Sequence, residues 1–242
     1  MISLDTQNLL DFDELKIYFG DDYHPTDHIT ITQPSIGDII SFGDYKFYSI
    51  VNSICGNPTM FRLQLWNVGI NWNDVSDFDF FSMMINNFTP EDTYLLFGDL
   101  NLSWFQRFHD NEKDCELLVY IPRDENGEMI DISNKDLIVI DEVVYIKIVE
   151  YIRYMFNIHP KVEKAKNKVT AEAIIWEEEM NANMDKQKHK DDKVQKSVLL
   201  PLISAALNHP GFKYNLQQIF PRMLTPLIQR KKKIYKNNFK EL

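Results

Sequence analysis

Six histidines, two cysteines and scattered carboxylates are the side chains of this 242-residue chain that could do chemistry. His24 and His28 stand at i, i+4, the interval at which a helix presents two zinc ligands on one face. Pro25 between them works against a helix there. Asp21 and Asp22 could add oxygen ligands, but the alternating acidic run and glycine of a calcium loop are missing. His109, His159, His189 and His209 are spread along the chain. Asp74, Asp77 and Asp79 in "DVSDFDF" could form an acid pair, but they read more simply as acids at the positive end of a helix. Cys55 and Cys115 match no metal or redox spacing and read as core thiols of a reducing compartment. The chain has no nucleophile elbow, no Walker loop and no dinucleotide fingerprint, and its 8 glycines leave little for a phosphate cradle. The expectation is a protein with no catalytic centre, no bound metal and no cofactor.

Charge carries more information. The formal net charge is −10, yet residues 1–100 hold 15 acids against Lys16, Lys46 and Arg62. Residues 222–242 reverse the sign, with seven bases against Glu241. Within this tail, Arg230, Lys231, Lys232, Lys233 and Lys236 interleave with Tyr235 and Phe239, a composition that can grip phosphates and stack bases. The acidic body would repel a nucleic-acid backbone, so docking on an acidic protein surface, the chain's own included, is the better reading. No stretch approaches the roughly 18 apolar residues of a membrane span. "MISLDTQNLLDFDEL" has no basic n-region and no long apolar run, so no signal peptide is expected.

The elements that must position these residues read as α+β and mostly helical. "LKIYF" (15–19) and "HITIT" (28–32) alternate like strands and predict a long-looped hairpin. Pro34 ends the pairing, and Ser35 with Asp38 three residues on predicts a capped helix bearing Ile36, Ile39 and Ile40 on one face. A break is expected at Gly43 before "DYKFYSIVNSIC" resumes. Helices follow over 58–68, 74–86 and 89–97, the last with Thr89 as cap and Pro90 in its first turn. Phe61, Trp66, Trp72, Phe78, Phe80 and Phe81 are assigned chiefly to the core. "LNLSWF", "CELLVYI", "EMIDI" and "LIVI" predict a small β-meander across 98–140, with a hairpin turn at 125–127.

Beyond it, 141–157 predicts a helix with Tyr145, Val149, Ile152 and Phe156 inward and Lys147, Glu150 and Arg153 outward. A second amphipathic helix, capped by Thr170, is expected over 170–186. A solvated charged linker should follow over 187–196, then a buried apolar helix in "SVLLPLISAALN" and a helical tail interrupted by Pro221 and Pro226. This organisation divides the chain into 1–97, 98–140 and 141–242, with cuts best placed near 158–169 or 187–196.

The strand–proline–helix hinge of "HITITQPSIGDII" resembles the tail assembly chaperones of tailed bacteriophages, through Ile29, Ile31, Pro34, Gly37 and Asp38. The segments 89–100 and 197–215 look like pieces of proteins from AT-rich phages of gut or Gram-positive hosts, and the Asn, Ile, Lys and Asp content fits such a genome. The resemblance implies a non-enzymatic protein of the host cytoplasm that keeps the apolar helix of a tape-measure protein soluble during tail assembly. Such work needs grooves lined with methionine and aromatics. Phe80, Phe81, Met83 and Met84, and separately Leu199, Leu200, Leu202 and Ile203, are the candidates for partner binding. Rival readings are a virion component (a head–tail connector or tail-completion protein) and a phage regulator that binds a host protein or nucleic acid. The resembled family often makes a longer product by ribosomal frameshifting, which implies that the charged, uncapped end "KKKIYKNNFKEL" belongs to a short form or a truncation of such a product.

Overall fold

Pro34 separates strand from helix as the sequence reading expects, but the strand pairs with a different partner. A computed structural model describes residues 12–124, 128–130, 137–188 and 196–209. Residues 15–19 do not form a strand: α1 spans Glu14–Phe19. The Asp13 carboxylate accepts from the Leu15 amide at 2.8 Å, and Gly20 closes the helix in the left-handed region at φ 86°. With a cap at each end, one turn of helix overrides five residues of apparent alternation. The hairpin lies further on, β1 (Tyr23–Thr26) antiparallel to β2 (Ile29–Ile31), joined by a short turn. Ile29 and Ile31 are fully buried.

Ser35 and Asp38 then form the expected capping box of α2 (Ile36–Phe42), with the Ser35 amide 2.9 Å from the Asp38 carboxylate. Ile36 and Ile39 are buried, while Ile40 turns outward. Gly43, at φ 98°, breaks the helix where expected and starts α3 (Asp44–Cys55). This is the central helix: Phe47, Ile50, Val51, Ile54 and Cys55 are all buried. Next come α4 (Arg62–Asn67), a 3-10 turn at Trp72–Asp74, α5 (Asp77–Ile85) and α6 (Pro90–Phe97), of which α5 and α6 pack against α3. Ser76 and Asp79 cap α5 as Ser35 and Asp38 cap α2. The hairpin is tied to α6 through Thr32, whose amide and hydroxyl donate to the carbonyls of Leu96 and Leu95 at 2.9 and 2.7 Å.

The meander forms with its first strand displaced. "LNLSWF" is mostly a 3-10 turn at Leu102–Trp104, and β3 runs Phe105–Asp110. Asn101 causes the shift, because its side chain accepts from Ser103 and tightens the backbone into a turn. Strands β4 (Cys115–Tyr120) and β5 (Val139–Ile140) complete an antiparallel sheet in the order β3-β4-β5. The predicted turn at 125–127 lies outside the described residues. Next come α7 (Glu142–Phe156), α8 (Lys168–Lys188) and α9 (Leu200–Leu207). The architecture is α+β and mostly helical.

Apolar side chains gather in two clusters. The larger joins the hairpin, α2, α3, α6, the sheet, α7 and α9. The smaller holds Leu65, Trp72, Phe80, Ala171 and Ile175. Helix α5 is the wall between them, with Phe78, Phe81 and Ile85 in the larger cluster and Phe80 in the smaller. Two expectations about the late helices need correction. Arg153 does not face solvent: its guanidinium donates to the Cys55 carbonyl at 2.9 Å and to Glu150 at 2.7 Å. Helix α8 begins at Lys168, with Asn167 rather than Thr170 at its start; the Asn167 side chain accepts from the Thr170 amide at 2.9 Å.

Candidate partner-binding surface

Residues 158–167, between α7 and α8, contain no regular structure, yet side chains hold them like the edge of a sheet. Asn57 donates to the Lys161 carbonyl at 2.9 Å. Trp72 donates its indole N–H to the Glu163 carbonyl at 3.1 Å, and Thr59 bonds both the amide and the carbonyl of Glu163. Asn73 makes the same double bond to Ala165, at 3.0 Å to its amide and 3.3 Å to its carbonyl. Residues 161, 163 and 165 alternate as in an extended strand, so one face of the strap presents every second backbone unit to the same loops. Arg62 completes the joint by pairing with Glu163 at 2.6 Å and with Glu178 on α8.

The strap delivers α8 with one face inward. Ala171 and Ile175 are buried against Leu65 and Trp72, and Ile174 and Glu178 are half-buried beside them. The opposite face is also apolar. Val169, Ala173, Trp176, Met180 and Met184 follow the 4-3-4-4 spacing of a single helical stripe, and all are exposed. Val169 keeps 75% and Trp176 64% of its surface open to solvent. At 1.5 Å per residue the stripe is about 22 Å long. Apart from Glu178, which pairs with Arg62 on the packed side, polar residues lie on the flanks, so α8 is largely apolar on two opposed faces with a partner on only one. The sequence predicts a single-faced amphipathic helix over 170–186. The missed signal was the second stripe, offset by half a turn from the first.

Of the residues assigned to a groove, most lie inside the protein. Phe80 is buried in the smaller cluster with Met84 half-buried beside it, while Phe81, Leu199 and Ile203 are buried in the larger with Leu202 against them. Met83 and Leu200 are exposed. The basic residues Arg230, Lys231, Lys232, Lys233 and Lys236 lie outside the described residues.

The other groups singled out for chemistry are engaged or scattered. His24 is 3.0 Å from the Thr30 hydroxyl, and His28 is exposed. Asp79 caps α5 and pairs with Arg107 at 2.5 Å. Burial pushes the Asp77 carboxyl above its usual range, with Arg153 and Lys164 only partly offsetting it. Burial likewise raises the Cys55 thiol, which keeps it neutral and unreactive; Cys115 is half-buried on β4. A cleft of about 390 Å³ opens between α4 and the strap, but both of its carboxylates, Glu163 and Glu178, are bound to Arg62. Among the described residues no three His, Cys, Asp or Glu side chains come together as a metal site. No helix of the described residues is long and apolar enough to cross a membrane. No protein-family model, no curated protein and no solved structure matches the chain.

Proposed function

We propose that this is a non-enzymatic assembly protein that binds a helix of another protein, working as a tail-assembly-chaperone-like factor in the cytoplasm of a phage-infected cell. The observation that carries the reading is the uncovered stripe of α8. A helix rigidly seated on one face and lined with Val, Trp and Met on the other is suited to lay against a second amphipathic helix. Methionine and tryptophan are the side chains that make such a contact adaptable and strong. Burial of apolar surface is worth roughly 25 cal/mol per Å², so a contact of several hundred Å² supplies on the order of 10 kcal/mol before ordering costs. The strand–proline–helix hinge, with its capping box, adds the resemblance that names the tape-measure protein as the helix held.

The test is co-expression with the tape-measure protein of the same genome. The chaperone should raise its solubility and co-purify with it at low and high salt, because the contact is apolar, and Trp176→Glu should abolish both effects. Absence of rescue at either salt would sink the reading. Recovery of the protein at fixed copy number in mature particles would favour the connector instead.

A further inference from the structure

We infer that the uncovered face of α8 selects a helix whose apolar stripe is flanked by lysine or arginine. The inference rests on the helix-binding reading above and adds a charge rule to it. On the helical wheel Glu177 borders the stripe on one side, and Glu172 and Glu179 border it on the other. All three are exposed. Glu172 has only the distant Lys168, 3.9 Å away, and among the described residues Glu177 and Glu179 form no ion pair. The acid that points inward, Glu178, is already taken by Arg62. The stripe is therefore an apolar seam between two acidic rails, the arrangement in which flanking charges choose the partner of a helix pair.

Charge complementarity decides the occupant. A second copy of this chain would set acidic rails against acidic rails, with Glu177 and Glu179 close to the centre of the contact. A helix with basic flanks would instead meet each carboxylate with an opposite charge. Three such exposed pairs correspond to a preference of about tenfold over the same helix with acidic flanks. The preference should fade with salt while the apolar contact persists.

The experiment uses the full chain and two synthetic helical peptides with one Leu/Ala stripe, flanked by lysine in one and glutamate in the other. Binding is followed by calorimetry and by protection of Trp176 from a fluorescence quencher. The lysine peptide should bind about tenfold more tightly at low salt, and the gap should narrow near 0.5 M salt. Glu177→Gln with Glu179→Gln should narrow it as well, and Trp176→Glu should weaken both peptides. Equal affinities would overturn the charge rule and leave helix binding intact; no binding of either peptide would overturn both. Lysine-peptide binding indifferent to Trp176→Glu would place the peptide elsewhere on the acidic body and overturn the assignment. Two further outcomes would also overturn a partner in trans. One is a dimer lost in Trp176→Glu. The other is binding that appears only after Arg230, Lys231, Lys232, Lys233 and Lys236 are changed to Gln, which would make the chain's own tail the occupant.

Discussion

At the scale of single residues, two glycines at the ends of α3 serve different needs. Gly43 adopts φ 98° with open space where a Cβ would sit, so its role is conformational. Gly56 has an ordinary φ of −68°, but a Cβ there would lie 2.6 Å from the Phe61 ring and 2.7 Å from the Asn52 carbonyl. A ring can rotate aside, whereas a helix carbonyl cannot move without disturbing α3. Gly56→Ala should therefore cost about 1–3 kcal/mol, as overpacking does. Chemical denaturation checks this, and an unchanged midpoint would show that the helix end gives way freely. In the sequence the two glycines look alike, because a close approach between Gly56 and Phe61 exists only after the chain has folded.

At the scale of elements, the strap and α8 form one unit. Helix α8 has only one face packed, so its position depends on the side chains that hold residues 161, 163 and 165. Asn73 provides two of those bonds, both to Ala165, three residues before the helix begins. Asn73→Ala should lower global stability by about 1–2 kcal/mol, the usual worth of such bonds with one polar group left unpaired. Its sharper effect should be local, as faster amide exchange through residues 165–175 with α3 and α7 unchanged. Uniform acceleration across the molecule would mean that α8 folds only with the whole. Little of this was legible beforehand. A strap without periodicity reads as a linker, and only the loops facing it turn it into an edge.

For the whole molecule, three aspartates join elements that are distant in sequence. Asp44 on α3 receives the Ser197 hydroxyl and the amides of Val198 and Leu199 at 2.5–3.0 Å, which fixes the start of α9. Asp79 links α5 to β3 through Arg107, and Asp92 links α6 to α3 through Lys46 at 2.6 Å. Burial opposes ionisation at each, but these hydrogen bonds outweigh it and hold all three carboxyls below the usual range. A carboxyl depressed by folding contributes stability that is complete above its unfolded value, about 4, and is lost as pH falls through the folded value. Asp77 runs the other way, since burial raises it and its cost in the charged form is relieved on acidification. Three joints against one predict a melting temperature that is level at neutral pH and falls below about pH 4. Asp44→Asn should flatten part of that fall and release α9, measurable by thermal melts across pH and by exchange at residues 199–207. Acid insensitivity of the wild type would show that these joints add nothing net.

Features written in neighbouring residues are legible from residue types and spacing alone. Pro34, the Ser35/Asp38 and Ser76/Asp79 boxes, the break at Gly43, Thr89–Pro90 and the inward face of α7 all depend on atoms a few positions apart, so chemistry and spacing suffice to read them. Even there, the strand-like 15–19 became a helix because caps at Asp13 and Gly20 decided a segment too short for its alternation to count. Tertiary structure decided whether an apolar side chain is core or surface. Phe80 and Trp176 both sit on helices among apolar neighbours, yet one is enclosed between α4 and α8 and the other faces solvent. Periodicity tells which residues share a face. Only the packing of distant elements, here Arg62 and Trp72 on the strap, determines which of two apolar faces is covered and which is left for a partner.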